Sequence, residues 1–142
     1  MDFGRDALIK QLLSAPSFIS EPTQVWVNNE KELNKYVGSG IHGADNYYHR
    51  KAMCENAQKG YVDAMVSLLL ASGKEVMDFR DKDKSINEKG KFNAYDAGKD
   101  SAKDMKNNFS GMFLGLQNPE KDCKILLQDL DWETNTWKKP RK

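Results

Sequence analysis

The sequence predicts an all-α fold, a compact four-helix bundle closed by a C-terminal arm. Two observations carry that expectation. Apolar residues recur at helical spacing in several stretches of a dozen residues or more. Short polar segments holding Gly or Pro separate them. There are no internal repeats and no low-complexity segments. At 142 residues the chain fits one domain with a real core. We divide it into a first helix and connecting segment (1–42), a core (43–115) and an arm (116–142).

The elements follow in order. Asp2 to Ser14 reads as an amphipathic helix with Leu8, Leu12 and Ala15 on one stripe and Pro16 as its stop. Residues 16–23 read as a loop, and Val25, Trp26 and Val27 favour a short extended piece. Glu30 to Val37 forms a helical turn closed by Gly38-Ser39-Gly40. Ala44 to Lys59 is the second strong helix, ended by Gly60.

A third runs from Val62 to Phe79, with Asp63 as cap and Met65, Leu68, Leu69, Val76 and Phe79 as its apolar stripe. Gly73 inside it predicts a closely packed neighbour, since glycine costs a helix about 1 kcal/mol relative to alanine. Arg80 to Lys91 is dense in charge and reads as a solvated loop. The fourth helix spans Ala94 to Phe109, with Ala97, Ser101 and Met105 inward, and Gly111 and Gly115 break its pattern. Cys123 to Leu130 is a short helix or an extended arm across the bundle, and Trp132 and Trp137 cover core edges.

Charge excludes some functions. Twenty-two basic and 21 acidic residues leave a net charge of +1, against nucleic-acid binding by bulk electrostatics. The basic tail of Lys138, Lys139, Arg141 and Lys142 is a solvated terminus. No apolar run reaches the roughly 18 residues of a membrane span, and no signal peptide is visible. Cys54 and Cys123 either pair once in an oxidising compartment or stay as buried thiols, with the thiols slightly favoured.

The chemistry concentrates on two helices. Asp45, His49 and Asn56 lie at i, i+4 and i+11, on one side of a continuous helix. A carboxylate one turn before an imidazole can fix its tautomer and raise its basicity, which suits a general base or a metal ligand. The plainer alternative is a helix-capping Asp45 and a histidine buried in an interhelical hydrogen bond. On the fourth helix Asp100, Asp104, Asn107 and Asn108 form a second polar stripe. If the two helices pack side by side, Asp45 and His49 face Asp104 and Asn108 across a cleft able to hold a water, a divalent metal or a polar substrate. Otherwise the stripes interlock as a network that sets helix register.

Other templates fail. With only His42 and His49, a three-histidine zinc site is impossible, and no H-E-x-x-H, G-x-S-x-G or Walker loop occurs. Cys54 and His49 diverge by about 140° on a helix, which disfavours a thiolate–imidazole pair.

The run G-A-D-N-Y-Y-H-R-K-A-M-C-E-N-A-Q-K-G, from Gly43 to Gly60, resembles the signature helix of the serum amyloid A proteins, roughly G-S-D-x-Y-F-H-x-R followed later by A-x-R-G. The stretch from Asp100 through Asp104 and Asn108 to Gly111 is similar to that family's D-S-x-x-D-x-x-x-N-x-x-G. Related motifs occur in C-terminal domains of bacterial polymorphic toxins and secreted effectors. The likeness covers Gly43 to about Gly115; the segment 80–91 and everything beyond Gly115 find no counterpart. It implies a four-helix fold that pairs the Asp45/His49 helix with the Asp104/Asn108 helix. For function it implies a secreted effector or toxin-type domain in interbacterial competition, delivered without a visible signal peptide. A hydrolase of the cell envelope is the expected chemistry, with His49 as base or ligand and Asp45, Asp104 and Asn108 around it. A cognate immunity protein and an envelope substrate or lipid are the expected partners; metal and cofactor stay open. The alternative is a non-catalytic lipid- or protein-binding bundle.

Overall fold

The fold is organised around one helix that is buried on almost every side. In this computed structural model, which describes residues 3–73 and 94–138 and side chains over 6–73 and 102–138, the helices are α1 (Phe3–Leu13), α2 (Ser17–Asn34), α3 (Ala44–Ala57), α4 (residues 61–73), α5 (Ala94–Gln117) and α6 (Cys123–Leu126). A two-stranded antiparallel ribbon, β1 (Leu130–Asp131) and β2 (Thr136–Trp137), follows, pairing Leu130 with Trp137. The protein is thus mostly helical, as the spacing predicts. Helix α3 is the central element: its only part-exposed positions are Asp45, Tyr47 and Glu55. Its main partner is α5, and α2 packs on it next.

Residues 46 and 107, 50 and 111, and 54 and 115 face one another, so α3 and α5 run in the same direction. Two glycines allow their close approach. A Cβ at Gly111 would collide with the backbone of Arg50, and one at Gly115 with the carbonyl of Cys54 and the Cβ of Ala57. The expectation that Gly111 and Gly115 end the helix is therefore corrected: α5 runs through both to Gln117. Gly73, expected to be the packing glycine, has nothing within 4 Å of a Cβ among the described residues.

The segment read as a loop and an extended piece is also corrected. Residues 17–34 form one helix that contains Pro22, Val25, Trp26 and Val27. Pro22 sits at the sixth position, where the carbonyl it leaves free belongs to exposed Phe18. Burial of Pro22, Thr23, Trp26 and Asn29 on one stripe outweighs the extended preference of the Val-Trp-Val run.

On α4 the inward residues are Ala64, Ser67 and Ala71, whereas Met65 and Leu69 are exposed. Asp63 lies inside the helix, whose first turn closes on the carbonyl of Gly60, so it is no cap. Val76, Phe79, the charged segment 80–91, the side chains of Ala97, Asp100 and Ser101, and the tail 139–142 lie outside the described residues.

The core gathers Trp26, Ala52, Met53 and Ala71, with Val25, Leu68, Leu70 and Met112 against them. Ser67, an interruption in the apolar patch of the sequence, is its polar hub. Its hydroxyl accepts from Trp26 Nε1 at 2.8 Å and Asn56 Nδ2 at 3.0 Å and donates to Met53 Sδ.

The arm is tied back covalently. Cys54 on α3 and Cys123 on α6 form a disulfide across 69 residues, both side chains buried, which corrects the expectation of thiols. Nearby, Gln58 Nε2 donates to the carbonyls of Asn118 and Lys121. Trp132 stacks on Tyr47 at 4.7 Å and meets Tyr36 and Tyr48 edge-on. Gly43, at φ +83°, starts α3 beneath the Trp132 carbonyl, where any side chain would collide. Trp132 thus covers a core edge, as expected.

Candidate functional site

The polar groups on α3 and α5 differ in how completely they are bonded. At one edge of the seam between these helices Arg50, only 2% exposed, reaches across from α3. Its Nε and Nη2 donate to Asn107 Oδ1 at 3.3 and 3.1 Å, Nη1 donates to Ser110 Oγ at 2.9 Å, and Nη2 donates to Asn135 Oδ1 at 3.1 Å. Asn135 Nδ2 donates to Asn107 Oδ1 at 2.8 Å, and Asn107 Nδ2 donates to Asn46 Oδ1 at 2.9 Å. Asn46 Nδ2 then donates to the Trp132 carbonyl. The Arg50 guanidinium lies 5.4 Å from the centre of the Trp137 ring. Every acceptor in this network is neutral, and burial pulls the Arg50 pKa down from its ordinary value.

The sequence-derived candidates lie elsewhere on the two helices. His49 is buried, with its ring edge-on to Trp26 at 5.6 Å between centroids. Asp104 is 8% exposed and makes no hydrogen bond or ion pair among the described residues, and Asn108 is 1% exposed. Among the described residues Asn108 Nδ2 donates to Met105 Sδ, and its Oδ1 has no partner. Asn56 is fully buried; its Nδ2 donates to the Pro22 carbonyl and Ser67 Oγ, and its Oδ1 is likewise unpartnered. Buried polar atoms without partners are uncommon and cluster where a ligand or water completes them.

Asp45 stands apart. It lies in the first turn of α3, where a carboxylate is favoured by the helix dipole. Gly43, not Asp45, occupies the capping position, and Asp45 Oδ2 meets Lys103 Nζ at 3.5 Å with both side chains about 40% exposed. Such an exposed pair contributes little. The stripe of Asp45, His49 and Asn56 is therefore divided among three neighbours: α5 for Asp45, α2 for His49, and α2 with α4 for Asn56.

A third group links α2 to α3. Lys51 Nζ donates to Asn29 Oδ1 and Glu55 Oε1, both at 3.1 Å, and Asn29 Nδ2 donates to Glu55 Oε1. Beside it, burial and then the hydrogen bond with Tyr36 push the Tyr48 hydroxyl well above its usual range, and that hydroxyl donates to Glu32 Oε2. Among the described residues no three His, Cys, Asp or Glu side chains gather as a metal site.

Sequence reasoning missed Arg50, Asn46 and Asn135. The signal for Arg50 was weak: a cation directly after His49 reads as surface until α5 is laid beside it. Comparison with protein-family models, curated proteins and solved structures finds no match for this chain.

Proposed function

We propose that this chain is a secreted effector or toxin-type domain that works in an oxidising compartment, with its site at His49, Asp104 and Asn108. The observation that carries the site is the buried Asn108, whose Oδ1 is unpartnered, one turn beyond the largely buried Asp104 on the helix packed against the one bearing His49. The buried Cys54–Cys123 disulfide supports the compartment, and the motif resemblance supports the effector class. In this reading His49 is the base or ligand, Asp104 and Asn108 orient it or its substrate, and Asp45 tunes the entrance with Lys103. The chemistry is hydrolysis of an envelope component, a cognate immunity protein is the partner, and the finer architecture is the four-helix bundle with residues 116–142 as arm.

Expression in the cytoplasm and in the periplasm of a bacterium tests this. Growth arrest on periplasmic expression only, lost in a folded His49→Ala or Asp104→Asn variant, is the expected outcome. Equal toxicity of the folded variants, or none from the wild type, overturns the catalytic reading.

A second reading, a non-catalytic lipid- or protein-binding domain, draws on α4. Tyr61, Val62, Met65 and Leu69 share one face of that helix and are 54–78% exposed. Co-sedimentation with vesicles, abolished by Leu69→Glu, is the outcome that favours it for lipid; no co-sedimentation of the wild type removes that case.

A further inference from the structure

Arg50 is a buried cation whose hydrogen-bond partners among the described residues are all neutral. A guanidinium has five N–H donors, and those of Arg50 meet only the neutral oxygens of Asn107, Ser110 and Asn135. Three donors, two from Arg50 and one from Asn135, converge on the single Oδ1 of Asn107. An amide oxygen has two lone pairs, so donors are in excess there. One Nη1 N–H is left without a described acceptor. A buried cation with neutral partners is costly compared with one paired to a carboxylate or phosphate, which accepts from a guanidinium in bidentate fashion.

What closes the outer side of Arg50 is slight. Asn135 and Trp137 come from the turn and second strand of a ribbon with two residues per strand. Asn135 holds a left-handed backbone at φ +56°, a conformation non-glycine residues adopt at some cost. Trp137 is 44% exposed although it lies over the guanidinium. The amide oxygen of Asn135 and the ring of Trp137 occupy the positions an incoming oxyanion would take.

From this geometry we infer that Arg50, with Asn107 and Ser110, forms an oxyanion-binding site that the Asn135–Trp137 ribbon closes. The ligand is a phosphate or carboxylate group, either free or displayed on a surface. The site is separate from His49 and stands whether or not His49 is catalytic.

The test is titration of the full, oxidised chain with inorganic phosphate at constant ionic strength, against chloride, following the Arg50 Nε–Hε resonance. The expected result is a saturable shift of that resonance. Trp137→Ala, which removes part of the closing group, should tighten phosphate binding about tenfold, because less of the protein is held in the closed form. If Trp137→Ala does not fold, Asn135→Gly replaces it, since glycine accepts the left-handed backbone. Co-sedimentation of the same variant with phosphatidylglycerol vesicles but not phosphatidylcholine vesicles identifies a displayed phosphate as the ligand; phosphate binding without vesicle binding identifies a free one. An Arg50 resonance that phosphate leaves unmoved in both the wild type and the variant, or a variant that binds no tighter, overturns the inference.

Discussion

Asn107 and Asn108 are neighbours on the same helix, yet the first is bonded at both ends of its amide and the second leaves its oxygen unbonded. At the Arg50 edge, Asn46 and Asn107 use both ends of their amides, and the network extends to the arm through Trp132 and Asn135. Asn108 sits one residue further along α5 and leaves its oxygen unpartnered. The single-residue step decides this, because 100° of helix rotation carries Asn107 toward α3 and the arm and turns Asn108 toward Met105. A buried network whose amides are all bonded fixes one arrangement of helices and arm; a buried amide with an unbonded end costs stability and is retained where something else is gained.

The comparison can be broken most severely at the covalent tie beside the bonded network. Replacing Cys54 and Cys123 together with alanine releases a loop of 69 residues and should cost about 4 kcal/mol. Urea unfolding of oxidised wild type and variant measures it; a loss near zero means that the closed network alone holds the arm. Next, Asn107→Leu strands the Arg50 guanidinium and Asn46 together and should cost about 3 kcal/mol. Gly115→Ala forces α5 off the Cys54 carbonyl and should cost about 2 kcal/mol, visible as a lowered Tm.

The smallest expected effect is the sharpest. Asn108→Leu removes an amide whose oxygen has no partner, so stability should stay within about 0.5 kcal/mol of wild type or rise. A loss matching Asn107→Leu would show that the two amides are alike. Preserved stability with lost toxicity would assign Asn108 to function.

Much of the architecture was legible because helical periodicity and punctuation are local. The positions of α1, α3 and α5, Gly60 as a stop after α3, and a short C-terminal helix all follow from residues a few places apart. Failures came where local and distant forces disagree. Val25-Trp26-Val27 has strand-like residues, but Trp26 gains a buried hydrogen bond to Ser67, 41 residues away, by lying on a helix. Gly73, Gly111 and Gly115 look alike in sequence; only the neighbour each one meets separates a packing contact from open space.

The candidate site divides the same way. That His49, Asp104 and Asn108 are polar residues on helices destined to be buried could be read from spacing. That Asp45 instead faces Lys103 at the surface could not, nor that Arg50 outranks them as the most heavily bonded group of the seam. By itself the chain determined its helices, because backbone hydrogen bonds and side-chain periodicity act within a few residues. Only the tertiary structure decided which amide is satisfied, which glycine is needed and that Cys54 meets Cys123. Those outcomes depend on distances between segments far apart along the chain, and no local pattern encodes them.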